Sequence, residues 1–121
     1  MYESRLRSPE VDRLFRAILS LKNEEECYRF FEDLCTVGEI RALAQRFRVA
    51  EMLYNGMTYE AIAERTGMSS ATISRIKRFL EYGSDGYRLA IERLRSQEGM
   101  KTGKERVHPP RNSTDYPEAG S

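Results

Sequence analysis

The chain has 121 residues, 40% hydrophobic and 32% charged, the balance of one soluble domain with room for one modest core. Lys and Arg number 20 against 19 Asp and Glu, a net charge of +1, so any positive surface for nucleic acid has to be local. The apolar runs are a few residues long, far short of the roughly 20 that span a bilayer. The opening MYESRLRSPEVDRL lacks the apolar stretch of a signal peptide, and the cytoplasm is the expected location.

Ser8-Pro9-Glu10 reads as an N-cap, a proline at the first helical position and a first-turn acid. Val11, Leu14, Phe15, Ile18 and Leu19 then follow the spacing of one apolar helix stripe. Asn23 caps a second helix, whose Glu24, Glu25 and Glu26 lie where the helix dipole favours negative charge. That triplet is a helix start rather than a ligand site. Cys27, Tyr28, Phe30, Phe31, Leu34 and Cys35 give this helix a broad apolar surface. Its two cysteines stand about 12 Å apart along a helix axis, too far for a disulfide, and are expected to be two buried thiols.

Thr36-Val37-Gly38-Glu39 fits a capping box. It opens the third and longest helix, with Ile40, Leu43, Ala44, Phe47, Ala50 and Leu53 expected inward, and Asn55-Gly56 ends it with a left-handed residue. Thr58 caps a short fourth helix that Thr66-Gly67-Met68 breaks. Ser69 caps a fifth, running to Tyr82 before Gly83. Ser84 or Asp85 begins a sixth through Leu89, Ile91 and Leu94. From Ser96 the segment SQEGMKTGKERVHPPRNSTDYPEAGS is polar and rich in Gly and Pro, and is expected to stay disordered. The chain thus divides into a domain over 1–95 and a tail over 96–121, in which His108 is an idle solvent residue. The predicted class is all-α.

The fourth and fifth helices read as a helix-turn-helix, in which two short helices meet steeply across a tight turn. Close crossing needs a small residue, here Ala63, and the turn needs a positive φ, here at Gly67. Ile62, Met68, Ile73 and Ile76 stand where the shared core would be. The outward face of the fifth helix carries Ser69, Ser70, Ala71 and Thr72, small enough for close approach to a groove, followed by Ser74, Arg75, Lys77 and Arg78 with no acid before Glu81. Hydroxyls can meet phosphates or base edges, and small apolar groups can meet thymine methyls. A solvated helix face with a Ser/Thr cap would explain the composition alone. A buried hairpin, however, has no need of such an outer face, and the hinge beside it favours double-stranded DNA. Glu60 and Glu64 on the fourth helix repel phosphate, so contacts should fall to the fifth helix and binding should depend strongly on salt.

The run from LCTVGEIRALAQRFRVAEML through TYEAIAERTGMSSATISRIKRFL resembles the Trp-repressor superfamily, and within it the YerC/YecD-type, TrpR-related branch. The resemblance is most specific in GMSSATISR and in the Arg-x-Arg of AQRFRVAEML. It implies an all-α fold of six helices, an intertwined homodimer, and repression from a palindromic operator through paired helix-turn-helix units about 34 Å apart. Phe15, Phe30 and Phe31 agree with a second chain, since one this short would struggle to cover them. In the tryptophan-binding member, the indole lies between two arginines, and a threonine and the second arginine meet the carboxylate. Thr36, Arg46 and Arg75 match those positions, which outline an effector pocket. Ile76 replaces a glycine there, and Phe79 replaces the serine that serves the ligand's amino group. A branched side chain and a ring should fill the cavity and leave an ammonium unsatisfied, so L-tryptophan is not the expected effector. Glu60 and Ala63 also replace basic residues of the first recognition-unit helix, so the operator contacts should differ.

No Ser/His/Asp set, metal-spaced cluster or paired carboxylates can be assembled, which argues against an enzyme and implies no cofactor. The rival expectation is a protein-interaction module that keeps the helix-turn-helix as a scaffold without binding DNA.

Overall fold

The computed structural model describes residues 2–102, with side chains through residue 99. Among these residues there are six helices and no strand: α1 (Pro9–Leu19), α2 (Glu24–Leu34), α3 (Val37–Tyr54), α4 (Tyr59–Thr66), α5 (Ser70–Tyr82) and α6 (Gly86–Thr102). The expected all-α class is what is found. No helix among them is long and apolar enough to cross a membrane.

The helices begin where side chains can satisfy their first N–H groups. Ser8 Oγ accepts from the Val11 N–H at 3.1 Å, and Asn23 Oδ1 accepts from the Glu26 N–H at 2.9 Å. At α3 the box is reciprocal: Thr36 Oγ1 accepts from the Glu39 N–H at 3.1 Å, and Glu39 Oε1 accepts from the Thr36 N–H at 2.8 Å. Thr58 caps α4 through the Ala61 N–H at 3.1 Å, and Ser69 caps α5 through the Thr72 N–H at 3.2 Å. Each such cap contributes about 1 kcal/mol.

The chain forms two compact units, one ending at Arg41 and one starting at Ala42, so that α3 begins in the first and ends in the second. Within the first unit, α1 and α2 bury no side chain completely. Leu19 is 82% exposed and Tyr28 67%, while Phe30 and Phe31 meet edge to face with centroids 5.3 Å apart. Cys27 is exposed, Cys35 half-buried, and both are free thiols. The burial expected of both is therefore not found within the first unit, where α2 buries no side chain completely.

The second unit holds the core. Val49, Ala50 and Met52 of α3, Ile62 of α4, Ile73 and Ile76 of α5 and Ile91 of α6 form one buried cluster, and Leu80 is buried as well. The single inward stripe expected on α3 is only partly right. Ala50 is buried, but Leu43 and Ala44 are exposed, while Val49 and Met52, off that stripe, are fully buried. Three helices contribute to the cluster around the last turns of α3, so neighbouring positions go inward there instead of one face.

Helix α6 also departs from expectation. It continues through Thr102, whereas the thinning of apolar residues places its end at residue 95. Gln and Glu are good helix formers that need no apolar face, so an exposed helix can run on through Ser96, Gln97 and Glu98. Its earlier turns are tied to the end of α3. Tyr54 Oη donates to Glu92 at 2.8 Å, the Arg95 guanidinium lies 4.9 Å from the Tyr54 ring centroid, and Arg95 also bonds Asn55. The disorder expected of residues 103–121, and the place of His108, lie outside the described residues.

Candidate nucleic-acid interface

The hinge between α4 and α5 is built from backbone geometry and one threonine. Gly67 has φ +78° and donates its N–H to the Ala63 carbonyl at 2.8 Å, closing α4 with a left-handed residue. A Cβ at Gly67 would meet nothing within 4 Å, so glycine is required there by conformation and not by space. Thr66 Oγ1 donates to the Ile62 carbonyl at 2.8 Å and accepts from the Met68 N–H at 3.1 Å, which pins the turn from both sides. Ile62 and Ile73 are fully buried and Ile76 is 4% exposed, while Met68 and Ala63 pack against their cluster. The two helices are thus locked to each other by the residues expected to do so.

With Ile73, Ile76 and Leu80 turned inward, the opposite side of α5 is presented outward. Ser69, Ser70, Ala71, Ser74, Arg75 and Arg78 are all exposed, whereas Thr72 and Lys77 are half-buried. Ser69 Oγ, besides accepting from the Thr72 N–H, donates to Thr72 Oγ1 at 3.1 Å. The hydroxyl pair at the start of α5 is therefore held in one arrangement, and the Thr72 O–H remains a donor. Lys77 is engaged within the chain: its Nζ lies 3.6 Å from Glu81 Oε2 and 5.9 Å from the Tyr59 ring centroid. That leaves Arg75 and Arg78 as the outward cations of this face. Glu60 and Glu64 of α4 are exposed, as expected of acids that face solvent.

Spacing arguments left out one side chain on this face. Tyr82 is 82% exposed and follows Arg78 by four residues and Arg75 by seven, so it prolongs the same stripe. The helical period alone would have included it.

The positions proposed for an effector pocket are placed as follows. Thr36 lies in the first unit, its hydroxyl oxygen accepting from the Glu39 N–H in the α3 capping box. Arg46 and Arg75, in the second unit, are exposed. Ile76 is part of the core, whereas Phe79 is 57% exposed. Phe79 falls off the Ile73–Ile76–Leu80 stripe, which accounts for its exposure in the single chain. A cavity of about 430 Å³ lies elsewhere, lined by Leu53, Tyr54, Lys77, Leu80, Glu81 and Arg88. Its charged groups are largely engaged, with Lys77 facing Glu81 and Arg88 Nε donating to the Leu80 carbonyl at 3.2 Å. Among the described residues no group of His, Cys, Asp and Glu could hold a metal ion.

Comparison with known proteins agrees with this architecture. A family model described as Trp repressor protein matches residues 9–95. The chain is 54% identical over 104 residues to protein YerC of Bacillus subtilis (strain 168), covering 86% of this chain and 100% of that protein. A TrpR-like protein from Eubacterium eligens ATCC 27750 superposes with a TM-score of 0.71 at 57% identity, over 74% of this chain and 93% of the other. A candidate Trp repressor from Staphylococcus aureus superposes with a TM-score of 0.71 at 52% identity, over 75% and 91% of the two chains. The family model covers most of the chain, and with it all of α3, α4 and α5: this chain belongs to the Trp repressor protein family.

Proposed function

We propose that this protein is a homodimeric, sequence-specific DNA-binding transcriptional regulator, a repressor acting at a palindromic operator, in which the outward face of α5 enters the major groove. The observation that carries the reading is the exposure of Ser70, Ala71, Ser74, Arg75 and Arg78 on a helix whose opposite side is locked into the core, in a member of the Trp repressor family. Thirteen residues make a helix about 20 Å long, and small side chains at its start let that end approach base edges in a groove about 12 Å wide. Ser69 and Thr72 position the N-terminus, Ser70, Ala71 and Ser74 contact bases or phosphates, and Arg75 and Arg78 contact phosphates.

The dimer is supported by the first unit. Phe15, Leu19, Tyr28, Leu34 and Val37 are each about half or more exposed in the single chain, an apolar surface that a second copy would cover. Ile76 supports the part of the reading that concerns ligand control. It already packs with Met52, Ile62 and Ile73, so the room that a glycine would leave is occupied, and L-tryptophan is not the effector. Micromolar tryptophan binding in a calorimetric titration would reject that clause.

Genomic footprinting of the tagged protein, with Ser74→Glu as the control, tests the whole. A carboxylate at this exposed position repels phosphate without touching the core, so discrete footprints should vanish while the dimer persists in sedimentation velocity. Equal occupancy by both proteins would reject the regulator. The exposed Glu60 and Glu64 favour the second reading, a protein-interaction module, which predicts no footprint and a protein partner indifferent to Ser74→Glu.

A further inference from the structure

We infer that Lys77 is a positioning residue that clasps α5 to the first turn of α4, and not one of the phosphate contacts to which the basic character of α5 first assigns it. The inference rests on the DNA-reading role proposed above, which it deepens by naming what holds the reading face at its angle.

Register sets the direction of the side chain. Lys77 follows Ile73 by four residues and precedes Leu80 by three, and both are buried. Residues so spaced share a helix face, which puts Lys77 on the shoulder of α5 next to the core, while Ser74 and Arg78 lie further round and are exposed. The ammonium then has two partners. Its Nζ is 5.9 Å from the Tyr59 ring centroid, at the outer limit for a cation over a ring, and 3.6 Å from Glu81 Oε2. A Lys placed four residues before a Glu is the weaker order for a helical ion pair, so that pair alone would hold the chain loosely. The ring supplies a fixed second point, because Tyr59 opens α4 and packs against the core cluster.

The position of the clasp explains its use. Tyr59 and Lys77 stand equally far along the chain from Met68, on either side of the Gly67 hinge. The buried cluster already locks the two helices beside the hinge; a contact between the first turn of α4 and the middle of α5 adds a second point, farther from the turn, that resists a change in their angle. Glu81 also offsets the lysine's charge, so Lys77 in this position adds little to the field that meets phosphate. The counterions released by α5 then come from Arg75 and Arg78.

A double-mutant cycle and a salt titration decide the matter. The probes are a duplex selected by the wild-type chain from a random-sequence pool and an unselected duplex of equal length. Arg78→Ala should lower the slope of log K against log salt by about 0.9 for each phosphate no longer neutralised, hence about 1.8 for a dimer. Lys77→Ala should leave that slope unchanged and weaken binding to the selected duplex about 5- to 10-fold, the scale of removing one positioning side chain, with the unselected duplex unaffected. Lys77→Arg and Tyr59→Phe, which keep cation and ring, should bind as the wild type does. Tyr59→Leu should reproduce Lys77→Ala, and the pair together should be no worse than either. A slope that falls in Lys77→Ala as it does in Arg78→Ala, with Tyr59→Leu unimpaired, overturns the inference. Without DNA, the same two substitutions should be non-additive by about two- to five-fold in the unfolding equilibrium constant, and strict additivity overturns the clasp by itself. Failure of the wild-type chain to bind any duplex would sink the regulator reading instead, and the cycle in the free protein would still decide the clasp.

Discussion

The two units of this chain obey the same sequence rules and reach opposite ends. Helices α1 and α2 carry apolar stripes as clear as any in the molecule, yet bury no side chain completely. The helices from the end of α3 onward enclose Val49, Met52, Ile62, Ile73 and Ile91 at 0% exposure. Periodicity shows that a helix has a face to hide; it does not show what hides it. In the second unit the cover is the same chain folded back across a hinge. In the first, on the reading proposed above, it is another copy. The second unit should therefore respond to substitution as a self-contained core, and the first as an interface.

The largest effect should come from removing a core side chain in the second unit and comparing it with an equally apolar residue in the first. Ile73→Ala, at a fully buried position, should cost about 2–5 kcal/mol in denaturant unfolding, through reduced burial and the cavity left behind. Leu19→Ala, at a residue 82% exposed, should change unfolding of the monomer by less than about 0.5 kcal/mol and instead weaken dimerisation in sedimentation equilibrium. A comparable loss at both positions in dilute monomer would erase the distinction between the units.

Gly67→Val comes next. The φ of +78° is one that a β-branched residue adopts only under strain, and a Cβ would meet nothing within 4 Å. The expected loss is about 1–3 kcal/mol from backbone strain. A crystal structure of the variant should show the turn reshaped while Ile62 and Ile73 stay packed, and an unchanged melting temperature would refute the account of the hinge. Smaller again is Ser69→Ala, which removes the acceptor for the Thr72 N–H and should cost about 1 kcal/mol. Asn23→Ala removes the matching cap at α2. On a helix that buries no side chain completely within its chain it should fray α2 in hydrogen exchange without shifting the unfolding midpoint of the second unit.

Much of this is legible because the chain is heavily punctuated. Ser8, Asn23, Thr36, Thr58 and Ser69 are hydroxyl or amide side chains that satisfy helix N-termini, and Gly56 and Gly67 take the positive φ that ends α3 and α4. Local chemistry of this sort acts over three or four residues and needs no knowledge of the rest of the fold. The inward stripe of α3 escapes such reasoning because Val49 and Met52 are buried by helices that arrive from later in the sequence. The end of α6 escapes it because Gln97 and Glu98 extend a helix without an apolar face. On α5 the spacing identifies the outward side chains and puts Lys77 on the shoulder beside the core, but its partner there is Tyr59, eighteen residues earlier, and no property of the helix itself announces that contact.

The smallest predicted effect lies where side chains from the end of α3 meet those of α6, and it depends on pH. Burial, with Glu98 nearby, holds the Glu51 carboxyl above its ordinary value of 4.5, an effect that Arg95 partly offsets. A carboxyl that binds its proton more tightly when folded makes the native state lose stability as pH rises from the unfolded value through the folded one. Below that window the carboxyl is protonated in both states and carries no penalty; above it the penalty is complete. Glu51→Gln keeps the shape without the charge. It should therefore raise the melting temperature slightly at pH 7, an effect kept small because solvent screens a half-buried charge, and leave it unchanged near pH 4. The sign separates two pictures of the α3–α6 contact. If Arg95 held Glu51 as an ion pair, the substitution would destabilise at pH 7. Stabilisation there, fading on acidification, would mean that the contact rests on Tyr54, Glu92 and Asn55, with Glu51 a charge that it tolerates.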